Sequence, residues 1–244
     1  MIAIVLAGGF GKRLWPHTLN KAKVLLPVAG KPVIDYVINK VQEVPSISRI
    51  LVSTNLRFQS QFQEWLHSRH YEKVELVPDP STSENEKIGA VQAMFNVAST
   101  INDDFMVIAG DNIFTDNLNP LVELFGEKRT PVIALYHAKK LEDVKRGASV
   151  TVSSNGRILE FAEKPEAPSS DMVGACIYIF PKRIKKRMFE YLQVNPLHDD
   201  AGRFIEWLHK VEPVYGLVFK DYIWDIGTRA SYDKAINFFN GSMQ

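Results

Sequence analysis

The residues with the clearest chemical potential follow the first apolar run of the chain: Leu6-Ala7-Gly8-Gly9-Phe10-Gly11-Lys12-Arg13-Leu14-Trp15-Pro16. Gly8, Gly9 and Gly11 let backbone N–H groups approach phosphate oxygens, while Lys12 and Arg13 neutralise charge at short range, so the loop reads as a phosphate cradle. A glycine turn with solvated charges is the alternative that such a cluster leaves open. Two well-known loops are excluded. A P-loop ending at Gly11 needs glycine where the chain has Leu6, and Ser or Thr where it has Arg13. A dinucleotide loop starting at Gly9 needs its third glycine at Leu14, whose bulk prevents close helix packing beneath a pyrophosphate. Further along, Asp111 follows the apolar run Phe105 to Ala109 and Gly110, where it serves either as a turn former or as a ligand to a metal ion.

Such residues need a scaffold, and the pattern of apolar residues describes one. Short runs rich in Val, Ile and Leu at Ile2 to Leu6, Arg49 to Ser53, Val74 to Val77, Phe105 to Ala109 and Pro131 to His137 read as buried strands. Between them, Pro32 to Val44 and Phe58 to His67 repeat apolar residues at helical spacing. The alternation predicts an α/β fold: a three-layer α/β/α, Rossmann-like, mostly parallel sheet that gathers ligands at the carboxyl ends of its strands. From about residue 146 the pattern changes. Ala148 to Val152 and Arg157 to Glu163 flank Ser154-Asn155-Gly156, a hairpin signal, which introduces antiparallel strands. Met172 to Phe180 and Val214 to Phe219 read as strands; Lys182 to Val194, Gly202 to Lys210 and Arg229 to Phe239 read as helices. With no linker rich in Pro, Gly or Ser, the expectation is one domain, with residues 1–145 and 146–244 as two packed parts, the second an inserted antiparallel subdomain.

Composition narrows the partners. With 29 basic and 28 acidic residues the net charge is +1 and neither sign forms a tail, so no nucleic acid partner is expected and phosphate binding must be local. The lone Cys176 offers neither a disulfide nor a zinc site, which points to a reducing, cytoplasmic setting. No segment approaches the roughly 18 apolar residues of a membrane span, so no membrane partner is expected. His67 and His70 lack an evident third ligand and read as surface residues.

The rest of the early sequence supplies Pro16, Thr18, Lys23, Leu25-Leu26-Pro27 and Lys31-Pro32, and the later sequence Gly89-Ala90-Val91-Gln92-Ala93, Gly110-Asp111-Asn112, Glu163-Lys164-Pro165, Val173-Gly174 and Trp224-Asp225-Ile226-Gly227-Thr228. In that order the chain resembles the nucleotide-sugar pyrophosphorylases, above all the glucose-1-phosphate thymidylyltransferases and uridylyltransferases. The resemblance covers nearly the whole chain. It implies transfer of a nucleotidyl group from a nucleoside triphosphate, dTTP or UTP, to a sugar 1-phosphate such as glucose 1-phosphate, with release of pyrophosphate. The attacking phosphate oxygen is already an anion near neutral pH, so alignment and charge neutralisation suffice.

By the same resemblance Arg13 grips the triphosphate and the leaving pyrophosphate, and Lys23 sits nearer the α-phosphate. Leu6, Ala7, Gly8, Gly9, Gly11 and Gly89 bind the nucleotide; the residues of this sequence themselves offer Glu84, which could only accept from a base, or Asn85, which could also donate, to read it. Asp111 and Asp225, distant in sequence, hold Mg²⁺, which prefers oxygen ligands and shares phosphates and water. Glu163 receives sugar hydroxyls, Lys164 the sugar phosphate, and Gly147 and Gly174 admit the sugar. The family's base-reading glutamine has no counterpart in Ser81 to Glu86, and Arg146 stands where it often has tyrosine. A silent sugar-nucleotide sensor regulating a partner is the alternative, opposed by the presence of Arg13, Lys23 and both aspartates. A homo-oligomer is compatible with the family and is left open.

Overall fold

The computed structural model describes residues 1–195 and 200–241. In chain order the regular elements are β1 (Ile2–Leu6), β2 (Pro27–Val28), β3 (Lys31–Pro32), α1 (Val33–Gln42), β4 (Arg49–Asn55), α2 (Gln59–His67), β5 (Val74–Asp79), α3 (Ala90–Ser99), β6 (Phe105–Ala109), β7 (Asn112–Ile113), α4 (Asn119–Lys128), β8 (Val132–His137) and α5 (Leu141–Arg146). They continue with β9 (Ala148–Val152), β10 (Ile158–Glu163), β11 (Met172–Phe180), α6 (Ile184–Val194), α7 (Ala201–Val211), β12 (Tyr215–Val218), β13 (Trp224–Asp225) and α8 (Arg229–Gly241).

Nine strands form one sheet. Its first half, β6-β1-β4-β5, is parallel in a continuous register that sets Ile4 beside Leu51 on one side and Val107 on the other. Strand β11 joins β6 in the opposite sense, and β8 and β12 extend the sheet beyond it. The hairpin β9–β10 attaches along the early part of β11, past the point where β6 has ended, through Val173 opposite Ser149. The expected antiparallel strands are therefore present, but they continue the same sheet.

Side chains that alternate along these strands feed two apolar layers. Ala3, Val5, Ile50, Val52, Met106 and Ile108 pack with α1, α2 and α4, whereas Ile2, Ile4, Leu51, Phe105 and Val107 pack with α3, α6 and α7. Runs with both faces apolar are what burial on both sides demands. Helices α3, α4 and α5 add to the expected ones and cover this sheet as well; Val91, Met94, Phe95 and Ala98 of α3 stand at helical spacing. A third, smaller cluster joins Leu14, Val28, Ile113 and Ile226 to Tyr232 and Ala235 of α8, so the closing helix clamps the glycine loop onto the strand pair β7–β13. The carboxyl ends of β1, β4, β5, β6 and β8 share one edge of the sheet, and the candidate residues collect there.

Candidate active site

The glycine loop leaves β1 with the amide of Ala7 donating to the Ser53 carbonyl at 2.8 Å and the Gly8 carbonyl accepting from Asn55 Nδ2 at 2.8 Å. Gly11 adopts φ +64°, a left-handed conformation that opens a short helical turn over Lys12–Leu14, and Thr18 Oγ1 donates to its carbonyl at 2.7 Å. Leu14, the residue incompatible with a dinucleotide loop, is fully buried and anchors that turn, leaving its neighbour Arg13 exposed at the cleft. A second short turn, Lys23–Leu25, buries Val24 and Leu25 and turns Lys23 inward.

Asp111 and Asp225 are 114 residues apart in sequence, and a two-residue ladder unites them. Strand β13 pairs antiparallel with β7, setting Asp225 opposite Asn112, while the Ile226 amide donates to the Asp111 carbonyl at 3.0 Å. Lys23 Nζ donates to Asp111 Oδ2, and both side chains are largely enclosed, at 16% and 15% exposure. Burial acts to lower the Lys23 pKa, but Asp111 and Asp225 outweigh it and raise the pKa above the usual lysine value. Asp225 opens onto the cleft yet is ringed by protein. That desolvation, followed by the neighbouring Asp111 charge, pushes its carboxyl up to about 6 against the opposing pull of Lys23, Arg13 and Lys164. A methyl group built on Gly227 would lie 3.0 Å from both Asp225 carboxylate oxygens and 3.3 Å from Arg13 Nη2, so a side chain at this position would crowd both groups. Among the described residues no group of three or more His, Cys, Asp or Glu side chains could hold a metal, so a cation here would rest on this aspartate pair and on ligand oxygens. His67 and His70 belong to no such group.

Glu163 ends β10 with its carboxyl against Gly202, in the first turn of α7. Burial, augmented by Asp200 and Glu206 and opposed by Lys164 and Arg203, pushes it up to about 7. Lys164 has φ +50°, its amide donates to the Gly147 carbonyl at 2.7 Å, and its ammonium pairs with Asp200. Two cavities meet at Asp111, Cys176 and Asp200. One, of about 400 Å³, is lined by Leu6 to Gly9, Lys23, Asp79 and Gly89. The other, of about 300 Å³, is lined by Arg13, Gly147, Glu163, Lys164, Gly174 and Asp225. Burial pushes the Cys176 thiol up to about 12, so it stays protonated between them.

Most residues singled out from the sequence thus converge on this cleft. Gly11 contributes backbone shape from outside the cavity lining, and a methyl group there would fall 3.1 Å from Lys23 Cβ and from Thr18 Cγ2. Glu84 and Asn85 lie on the turn Glu84–Glu86 and line neither cavity themselves, although Glu84 pairs at 3.5 Å with Lys87, which lines the larger one. At Gly174 a methyl group would fall 2.7 Å from Phe161 Cε2, and at Gly147 2.9 Å from Val173 Cγ1, so these glycines accommodate neighbouring side chains as well as lining the cavity. The sequence reading passed over Asp79, Tyr136, Asp143, Tyr222 and Ser231, which also line the cleft. Asp79 and Tyr136, at the carboxyl ends of β5 and β8, stand where strand topology gathers ligands.

A family model for nucleotidyl transferases matches residues 2–241. The chain belongs to the nucleotidyl transferase family. It is 30% identical over 232 residues to the bifunctional protein GlmU of Methanocaldococcus jannaschii, covering 93% of this chain and 51% of that protein. It is 30% identical over 185 residues to the UTP–glucose-1-phosphate uridylyltransferase AglF of Haloferax volcanii, covering 75% of this chain and 73% of that protein. The chain therefore spans about half the length of GlmU and nearly three quarters of AglF. A crystal structure, in complex with sucrose, of a Bacillus anthracis protein assigned as a glucose-1-phosphate thymidylyltransferase superposes with a TM-score of 0.85 and 25% identity, covering 98% of this chain and 95% of that one. Placed within the nucleotidyl transferases, the cleft lies where an α/β sheet gathers its ligands, at the carboxyl ends of the parallel strands.

Proposed function

We propose that this nucleotidyl transferase joins a nucleoside triphosphate to a sugar 1-phosphate, forming a nucleotide sugar and releasing pyrophosphate. The observation that carries the reading is the pair of adjoining cavities, with Lys23, Arg13 and Lys164 around their junction. The triphosphate lies in the larger cavity against the amides of the glycine loop, and the sugar 1-phosphate in the smaller one. An anionic oxygen of the sugar phosphate attacks the α-phosphorus as the bond to the pyrophosphate oxygen breaks on the opposite side. Lys23 neutralises the α-phosphate, Arg13 grips the departing pyrophosphate with two donors, and Lys164 holds the sugar phosphate. No side chain needs to remove a proton or form a covalent intermediate, consistent with the protonated state of Cys176.

Asp111 and Asp225 suit a magnesium ion: burial, and then the neighbouring Asp111 charge, makes the Asp225 carboxyl costly to ionise, and a cation held by the pair would relieve that cost. Such an ion, when bound, neutralises phosphate charge and orients the triphosphate. Glu163 receives sugar hydroxyls. Glucose 1-phosphate with UTP or dTTP is the proposed substrate set, supported by the likeness to AglF and to the Bacillus anthracis protein. The test is a panel of five triphosphates against several sugar 1-phosphates with pyrophosphate release as the readout. Formation of a nucleotide sugar from a pyrimidine triphosphate is expected; no release with any pair sinks the reading.

A further inference from the structure

The larger cavity offers a ligand several hydrogen-bond donors and one distinctive acceptor. The amides of Gly8, Gly9 and Gly89 at its wall donate to no partner among the described residues. Of the carboxylates lining it, Asp111 is paired with Lys23 and Asp200 with Lys164. Asp79 is different. Its Oδ1 accepts from the Ser81 amide at 2.8 Å, which fixes the carboxylate plane. Its Oδ2 has no hydrogen-bond or ion-pair partner among the described residues and faces the glycine loop, where a methyl group on Gly8 would lie 3.2 Å away. Any larger residue at Gly8 would crowd that oxygen.

A carboxylate oxygen accepts and never donates. Uracil and thymine present a ring N–H between two carbonyls, which matches one acceptor flanked by backbone donors. Cytosine and adenine present a ring-nitrogen lone pair at the corresponding place, which an acceptor repels. Guanine presents two adjacent donors, whereas Asp79 has one oxygen to offer because Ser81 holds the other. Resting on the reading of this cavity as the nucleotide site, we propose that Asp79 selects the base, admitting uracil and thymine through their ring N–H and rejecting cytosine and adenine.

The substitution Asp79→Asn tests this with no change of size. The Ser81 N–H requires an oxygen partner, so the side-chain NH₂ takes the place of Oδ2 and turns the acceptor into a donor. The expected result is a fall of about 100-fold in the UTP-over-CTP ratio of kcat/KM, with CTP use rising in absolute terms and the KM for glucose 1-phosphate within about twofold of its original value. Calorimetric binding of UTP and CTP should shift in the same direction without turnover. Should the Asn variant not fold, Asp79→Ser provides the comparison: discrimination approaching unity supports the assignment, and retained discrimination overturns it. A native enzyme that uses UTP or dTTP, with an unchanged ratio in the folded Asn variant, removes Asp79 while leaving the pyrimidine reading in place. A native preference for CTP, ATP or GTP overturns both.

Discussion

At the residue scale the site is a balance of opposed charges held close together, and each charge has a measurable consequence. Lys23→Ala and Arg13→Ala should each slow turnover by about 10² to 10³, the usual loss for one preorganised group facing developing charge, with the fold intact because both sit on loops. Near-normal kcat in either variant would remove that residue from the chemistry. If the proposed magnesium ion rests on this pair, Asp111→Asn and Asp225→Asn should each abolish most of the activity measured as pyrophosphate release, and the double variant should cost less than the sum of the two. Glu163 gives a pH signature. Its carboxyl is raised to about 7 in the folded chain, so between about pH 4.5 and 7 the native state holds a proton that the unfolded chain has lost. Stability therefore falls as pH rises through that window and stays at the lower level above it. Glu163→Gln removes this penalty, which solvent screening at a half-buried group holds to the order of 1 kcal/mol, or about 2–4 °C in Tm. Thermal melts should show the variant more stable than the parent at pH 8 and equal to it at pH 4; equal melting at both would sink the assignment.

At the element scale, helices and short ladders place the charges. The apolar runs at Ile2–Leu6, Phe105–Ala109 and Met172–Phe180 are observed as strands with the expected bounds, because burial on both faces writes itself into consecutive apolar residues; Ala148–Val152, marked by its hairpin turn, also keeps its expected bounds. The ladder β7–β13 left no such trace. Two residues a side carry no periodicity, yet that pairing brings Asp225 to Asp111. Asp35 in α1 is another contact between distant elements: 4% exposed, it accepts from Trp65 Nε1 at 2.7 Å and from Arg69 Nε at 2.8 Å, tying α1 to α2. Asp35→Ala should leave the indole N–H unpaired and cost about 3 kcal/mol in denaturant unfolding, whereas a loss under 1 kcal/mol would show that the helices hold without it. In α7, a methyl group on Gly202 would fall 1.9 Å from Glu163 Oε2. Gly202→Ala should accordingly displace Glu163 and raise the KM for sugar 1-phosphate while leaving that for the triphosphate near its original value.

At the scale of the whole molecule, one sheet carries both cavities, so the two proposed substrates would meet on a single scaffold. Ligand binding should then stabilise the fold as a unit. A pyrimidine nucleoside triphosphate at a hundred times its dissociation constant adds about 2.7 kcal/mol, roughly 5–10 °C in Tm. Differential scanning calorimetry reads the shift directly, and its absence at saturating ligand would argue against the larger cavity as the nucleotide site. No helix among the described residues is long and apolar enough to cross a membrane.

The sequence by itself determined the alternating strands and helices, the glycine loop and its cations, the Asn155-Gly156 hairpin and the family. Each is a local signal: a run of burial, a backbone conformation that favours glycine, a fixed spacing. Only the tertiary structure decided which distant groups meet. It joined Asp111 to Asp225 through the two-residue ladder β7–β13 and seated Glu163 on a glycine of α7. It also put Asp79, rather than Glu84 or Asn85, at the wall of the larger cavity. The physical reason is that a charge acquires its partners from strand register and helix packing. Those depend on the whole sheet closing around its two apolar layers, and no window of sequence contains that information.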